Sequence, residues 1–163
     1  MKQIYLDYNS TTPTAPEVVD EMLPYFNKKF GNSASRNHSF GITSKTAVEN
    51  ARKQIANLIN CHPKEIVFTS GATESANLAI KGFFQLNPDY NCNYLAIEHK
   101  AVLDAIDNIK HLTDVNPTVI DVNKNGIINI NNFKNSLDNL DQALNIIMHA
   151  NNEIGVLQPL KKI

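Results

Sequence analysis

Apolar residues recur along this chain in two alternating rhythms. Phe40, Ala47, Val48, Ala51, Ile55, Leu58 and Ile59 return at helical spacing. Short apolar runs at 66–69, 94–97, 118–122 and 145–149 read instead as strands, and each carries a turn signal or a helical pattern on either side. The segments between them, 73–85, 100–110 and 131–140, read as helices. An earlier helix is predicted from Glu17 to Lys29, with Pro16 in its first turn and a kink or break at Pro24. Strands alternating with helices of this length predict an α/β fold, a mostly parallel sheet with helices on both faces.

The strand-to-helix junctions hold the polar residues that matter. At 68–75, FTSGATES, a strand turns into a helix through Gly71 and small or hydroxyl residues. Such a turn leaves backbone N–H groups bare at the positive end of the helix dipole, which suits a phosphate. A plain helix cap without a ligand fits the same eight residues. A nucleotide loop does not: there is one glycine, and no lysine before Lys81. Two further clusters, EHKAV at 98–102 and MHANNEIG at 148–155, also follow strands on their C-terminal side. Ligands of open α/β sheets bind off that edge. A phosphate donor, an imidazole and a carboxamide there make a candidate cofactor site.

Six segments in order carry a family resemblance: Ile4-Tyr5-Leu6-Asp7-Tyr8 with Thr11-Thr12-Pro13, Phe30-Gly31-Asn32 with Ser35 and His38, the three clusters above, and Asn125-Gly126-Ile127-Ile128. With them the chain resembles the N-terminal portion of a cysteine desulfurase, a pyridoxal-phosphate enzyme of the class V aminotransferase family with the fold-type I architecture. The resemblance implies an N-terminal segment of the small domain at 1–14 and the first half of the large cofactor-binding domain at 15–163. It implies that Ala72 and Thr73 hold the pyridoxal 5'-phosphate through backbone N–H and hydroxyl. His99 resembles the histidine stacked on the pyridine ring, also an acid/base, and Asn152 resembles the asparagine near the ring oxygen and substrate carboxylate. An imidazole excludes water from one ring face and titrates near neutrality. Ser10 and Ser33 depart from the alanine and proline usual at those positions.

The implied reaction converts L-cysteine to L-alanine and an enzyme-bound persulfide, with sulfur passed to an iron–sulfur scaffold or another acceptor protein by a homodimer. Two alternatives remain: a non-catalytic remnant or binding subunit, and a selenocysteine lyase branch. By resemblance, the Schiff-base lysine, the aspartate at the pyridine nitrogen, the sulfur-carrying cysteine and the substrate-binding arginine belong to later sequence. The 163 residues alone are therefore expected to be inactive and to hold cofactor weakly, and the strand before Gly71 is expected to lie apart from the other three.

Composition narrows the classes. A net charge of -1 and 42% hydrophobic residues give no basic excess for nucleic acid, and no apolar run is long enough to span a bilayer. With no secretion signal visible, a cytoplasmic protein is expected. Cys61 and Cys92 are the two cysteines, both predicted in loops as incidental thiols, and no metal site is expected. Lys100 reads as a surface lysine and His149 as a core histidine closing a buried strand. Glu74 and Glu153 read as carboxylates fixing local hydrogen bonds.

Overall fold

Three parallel strands centre the second half of the chain and decide where its candidate chemistry lies. The computed structural model describes residues 3–137 and 142–163. The chain divides into two units, Met1–Phe68 and Thr69–Ile163.

In the first unit, α1 (Pro16–Asn27) starts with proline at its first position and runs through Pro24 without interruption. The expected break is absent because Pro24 falls in the last turn, where a missing N–H removes only one helical bond; its own carbonyl accepts from Lys28 and Lys29 N–H. Next comes α2 (Ser39–Leu58), capped by the His38 imidazole, which accepts from Gly41 N–H at 3.2 Å. Gly31 lies against the first turn of α2 so closely that a Cβ there would sit 2.3 Å from the Phe40 carbonyl oxygen. That close approach requires glycine. A 3₁₀ turn, Pro63–Glu65, is closed by a reciprocal capping box between His62 and Glu65. The predicted strand at 66–69 joins no sheet among the described residues. Arg52 instead donates to the Ile66 carbonyl and lies 4.9 Å from the Phe68 ring centroid.

The second unit contains α3 (Ala72–Leu86), β1 (Asn91–Leu95), α4 (Lys100–Leu112), β2 (Thr118–Ile120), α5 (Ile130–Leu137) and β3 (Ala143–Ile146). Residues 138–140 of the predicted 131–140 helix lie outside the described residues. A short hairpin follows, β4 (Ala150–Asn151) antiparallel to β5 (Val156–Leu157). The sheet order is β2-β1-β3, with both neighbours parallel to β1. Helices cover the two faces. Ile80 and Phe84 of α3 and Ala105, Ile106 and Ile109 of α4 pack with Cys92 on one side. Phe133 of α5 packs with Leu95, Ile120 and Ile128 on the other. Hydrophobic burial on both faces is what lets short parallel strands persist.

In the second unit, Cys92 and His149 also differ from the sequence expectation. Cys92 is a fully buried core residue of β1, not a loop thiol, because the strand begins earlier than its apolar run suggests. The strand expected at 145–149 is displaced to 143–146, which leaves His149 exposed; its carbonyl accepts from Gln158 N–H at 2.8 Å. Asn93, wholly buried in β1, donates through Nδ2 to Asn145 Oδ1 at 2.9 Å. Its own Oδ1 has no hydrogen-bond partner among the described residues.

Candidate functional site

The turn into α3 is organised by its own side chains. Ser70 donates from both its backbone N–H (2.6 Å) and its hydroxyl (2.7 Å) to Glu74 Oε2. These bonds, the hydroxyl first, hold the Glu74 carboxyl below the usual carboxylate range. Thr69 and Ser75 hydroxyls meet at 2.7 Å. Gly71, the N-cap, has no side chain to cap the helix, and no atom lies within 4 Å of the position a Cβ would take. Ala72 and Thr73 are therefore the first two residues of α3, at a helix terminus without a side-chain cap.

His99 is the N-cap of α4. Its Nδ1 accepts the Ala101 N–H at 3.1 Å. The bond orients the ring and requires a lone pair on Nδ1, so a neutral His99 carries its proton on Nε2. The imidazole is otherwise exposed. Lys100, the next residue, points outward and is paired with Asp104 at 2.7 Å, as expected of a surface lysine.

Beyond the end of β3, Asn151 and Asn152 divide their roles. Asn151 is 9% exposed. Its Oδ1 accepts from Glu153 N–H (2.9 Å) and Ile154 N–H (3.0 Å), and its Nδ2 donates to the Ile97 carbonyl at 2.9 Å. Asn152 is exposed. A cavity of about 260 Å³ is lined by residues 96–99 on one wall and by Met148 and residues 151–154 on the other. The structure thus brings His99 and Asn152 to one cavity. Ala72 and Thr73 do not line it.

Glu98, to which the sequence reading gave no role, forms part of this wall. It is 8% exposed, and its Oε1 accepts the Met148 N–H. Burial pushes its carboxyl above the usual carboxylate range, with the Met148 bond acting in the opposite direction. The available signal was its position, a carboxylate between the end of a buried strand and a helix cap. Gln158 was also missed. It is 3% exposed, accepts from Ile128 N–H (2.9 Å) and donates to the Gly126 carbonyl (2.7 Å). The Gly126 backbone is left-handed at φ 74°, which favours glycine.

The thiols lie elsewhere. Burial pushes Cys92 up to about 11, opposed by the charge of Lys110. Cys61 is half-buried and weakly bonded to the His62 carbonyl. Among the described residues no cluster of metal-ligating side chains occurs, and no helix is long and apolar enough to cross a membrane.

Residues 4–163 match the family described as Aminotransferase class-V. The chain is 50% identical over 165 residues to "Cysteine desulfurase, mitosomal" of Trachipleistophora hominis, covering 99% of this chain and 37% of that protein. It is 49% identical to "Cysteine desulfurase IscS" of Rickettsia prowazekii (strain Madrid E), covering 98% and 39%. Among solved structures, "SspA in complex with cysteine" superposes with a TM-score of 0.87 at 31% identity, covering 98% of this chain and 46% of that one. The NifS-like protein from Rickettsia africae ESF-5 superposes with a TM-score of 0.82 at 33% identity, covering 96% and 42%. The chain spans less than two fifths of the length of these curated relatives.

Proposed function

The chain belongs to the class V aminotransferase family, and we propose that it is the N-terminal part of a cysteine desulfurase, a pyridoxal-phosphate enzyme that takes sulfur from L-cysteine and releases L-alanine. The observation that carries this reading is the meeting of His99 and Asn152 at one cavity off the C-terminal ends of β1 and β3, in a chain about half identical to proteins named cysteine desulfurases.

The residues present fit the cofactor chemically. An uncapped helix start suits a dianionic phosphate, an oriented imidazole suits an aromatic ring face, and a carboxamide can donate to an anionic oxygen without adding charge. When bound, pyridoxal phosphate supplies the electron sink that weakens bonds at the substrate α-carbon. In this proposal Ala72 and Thr73 hold the phosphate. His99 shields one ring face from water and holds or moves a proton at Nε2, since Nδ1 is committed to Ala101 N–H. Asn152 orients the ring oxygen and the substrate carboxylate. Residues 1–14 would belong to the small domain and 15–163 to the large one.

No residue of the 163 is given the role of Schiff-base lysine or sulfur carrier. Lys100 is paired on the surface, and Cys92 is buried and protonated. These residues alone are expected to release no alanine and to hold cofactor weakly. The working protein would be a cytoplasmic homodimer passing sulfur to an acceptor such as an iron–sulfur scaffold, although the relative from Trachipleistophora hominis carries a mitosomal name. The test is incubation of the full-length protein with pyridoxal phosphate and L-cysteine. Stoichiometric alanine and protein-bound sulfur are expected. No alanine would sink the reading, and faster turnover of selenocysteine would move the protein to the lyase branch.

A further inference from the structure

The parallel ladder between β1 and β3 ends at the pair Tyr94–Ile146. Past that point the two segments continue as the walls of the cavity, residues 96–99 on one side and Met148 with residues 151–154 on the other, and side chains hold them together. Two hydrogen bonds cross between the walls, both donated from the second wall to the first, but made by side chains that reach from opposite sides. Glu98 reaches from the first wall to accept the Met148 N–H. Asn151 reaches back from the second to donate to the Ile97 carbonyl at 2.9 Å. Each bond joins residues 50 or more positions apart in sequence.

Each of the two side chains is the immediate neighbour of a candidate cofactor contact, Glu98 of His99 and Asn151 of Asn152. Both are anchored locally as well. Glu98 N–H bonds the Leu95 carbonyl at 3.1 Å, and Asn151 Oδ1 takes the N–H groups of Glu153 and Ile154. With both ends of its amide engaged and the residue buried, Asn151 has little rotameric freedom. The pair therefore fixes the start of α4, which His99 caps, against the β4–β5 hairpin, whose connecting loop begins with Asn152. We propose that Glu98 and Asn151 are positioning residues, a reciprocal clasp that sets the spacing of His99 and Asn152 across the cavity. The part of this that concerns cofactor affinity rests on the functional reading above. The spacing itself does not.

The variants separate the clasp from general stability. Glu98→Ala removes the acceptor, and Glu98→Gln restores an acceptor without charge. Asn151→Asp keeps the oxygen that serves Glu153 and Ile154 but loses the donor to Ile97. Ile106→Val, in the core away from the clasp, provides a stability control. In the full-length protein, the His99 imidazole and Asn152 carboxamide resonances in ¹H–¹⁵N spectra are expected to move in Glu98→Ala and Asn151→Asp. They should stay in place in Glu98→Gln and Ile106→Val. Titrated affinity for pyridoxal phosphate should fall about tenfold in the first two variants, as for other supports of a ligand contact, and by less than about twofold in Glu98→Gln. Resonances and affinity unchanged in a folded Glu98→Ala overturn the clasp, and so does a Glu98→Gln variant as defective as Glu98→Ala. If Glu98→Ala fails to fold, Asn151→Asp decides by the same two readouts. A wild-type protein that binds no pyridoxal phosphate refutes the functional reading, while the resonance shifts still decide the clasp.

Discussion

The turn into α3 and the cavity beside α4 are built in opposite ways. Every hydrogen bond that shapes the first, Ser70 to Glu74 and Thr69 to Ser75, spans six residues or fewer and lies at the surface. The bonds that shape the second, Glu98 to Met148 and Asn151 to Ile97, span about fifty residues and are partly buried. A local turn can form wherever its few residues occur. The cavity exists only once β1 and β3 have paired, so it inherits its geometry from the sheet. Removing a bond should therefore matter little at the turn and a good deal at the cavity.

The largest effect expected from this contrast is on thiol chemistry. With Cys92 of β1 held at about 11 by burial beneath α3 and α4, only about one thousandth of it is thiolate at pH 8, and access is closed as well. Cys61, just before the short capped turn and outside the sheet, should react with iodoacetamide at least about a hundredfold faster in the native protein. Mass spectrometry of timed, quenched samples reads this directly, and equal labelling would mean that the sheet opens easily. Next comes Asn151→Ala, which removes several buried hydrogen bonds together. It should cost about 2–3 kcal/mol of unfolding free energy in urea. A loss below about 1 kcal/mol would place the cavity on the same footing as the turn.

Two pH experiments are subtler, and their signs are opposite. The folded Glu98 carboxyl titrates above its unfolded value because burial disfavours its charge. Its contribution is complete below the ordinary glutamate value of about 4.3 and is lost as pH rises through the folded value. The stability of the wild type relative to Glu98→Gln should accordingly fall between pH 4 and pH 8 in paired urea titrations; a flat difference would contradict the burial argument. Glu74 is shifted downward by Ser70, so its contribution is present above the unfolded value and is lost as pH falls through the folded one. At so exposed a site, Glu74→Gln should leave the melting temperature almost unchanged at neutral pH and only weaken its decline in acid. A large loss at pH 7 would show that the turn depends on more than its neighbours.

The same contrast explains what could be read in the sequence. The α3 turn, the start of a helix just after His99 and the alternation of strands with helices were legible because each is written in a window of a few residues. Helix 100–110 was found almost to its ends, as Lys100–Leu112. The two sides of Asn151-Asn152 could not be told apart, since burial of one and exposure of the other depend on Ile97, far away in sequence. Strand limits failed for a related reason. The run Tyr94-Leu95-Ala96-Ile97 is apolar throughout, but the ladder is set by which carbonyls face β2 and β3, and that moved β1 back to Asn91 and buried Cys92. The segment at 66–69 has strand-like residues, but a strand also requires a neighbour, and its carbonyl is taken by Arg52.

Asn93 adds a consequence that concerns alignment. Its amide meets Asn145 directly across β1 and β3. Sliding β3 by one residue would bring Leu144 or Ile146 opposite and leave a second end of a wholly buried amide without a partner. The pair therefore works as a datum mark that selects one setting of two otherwise interchangeable apolar strands. Everything mounted beyond their ends, including the spacing of an imidazole and a carboxamide, is measured from that mark.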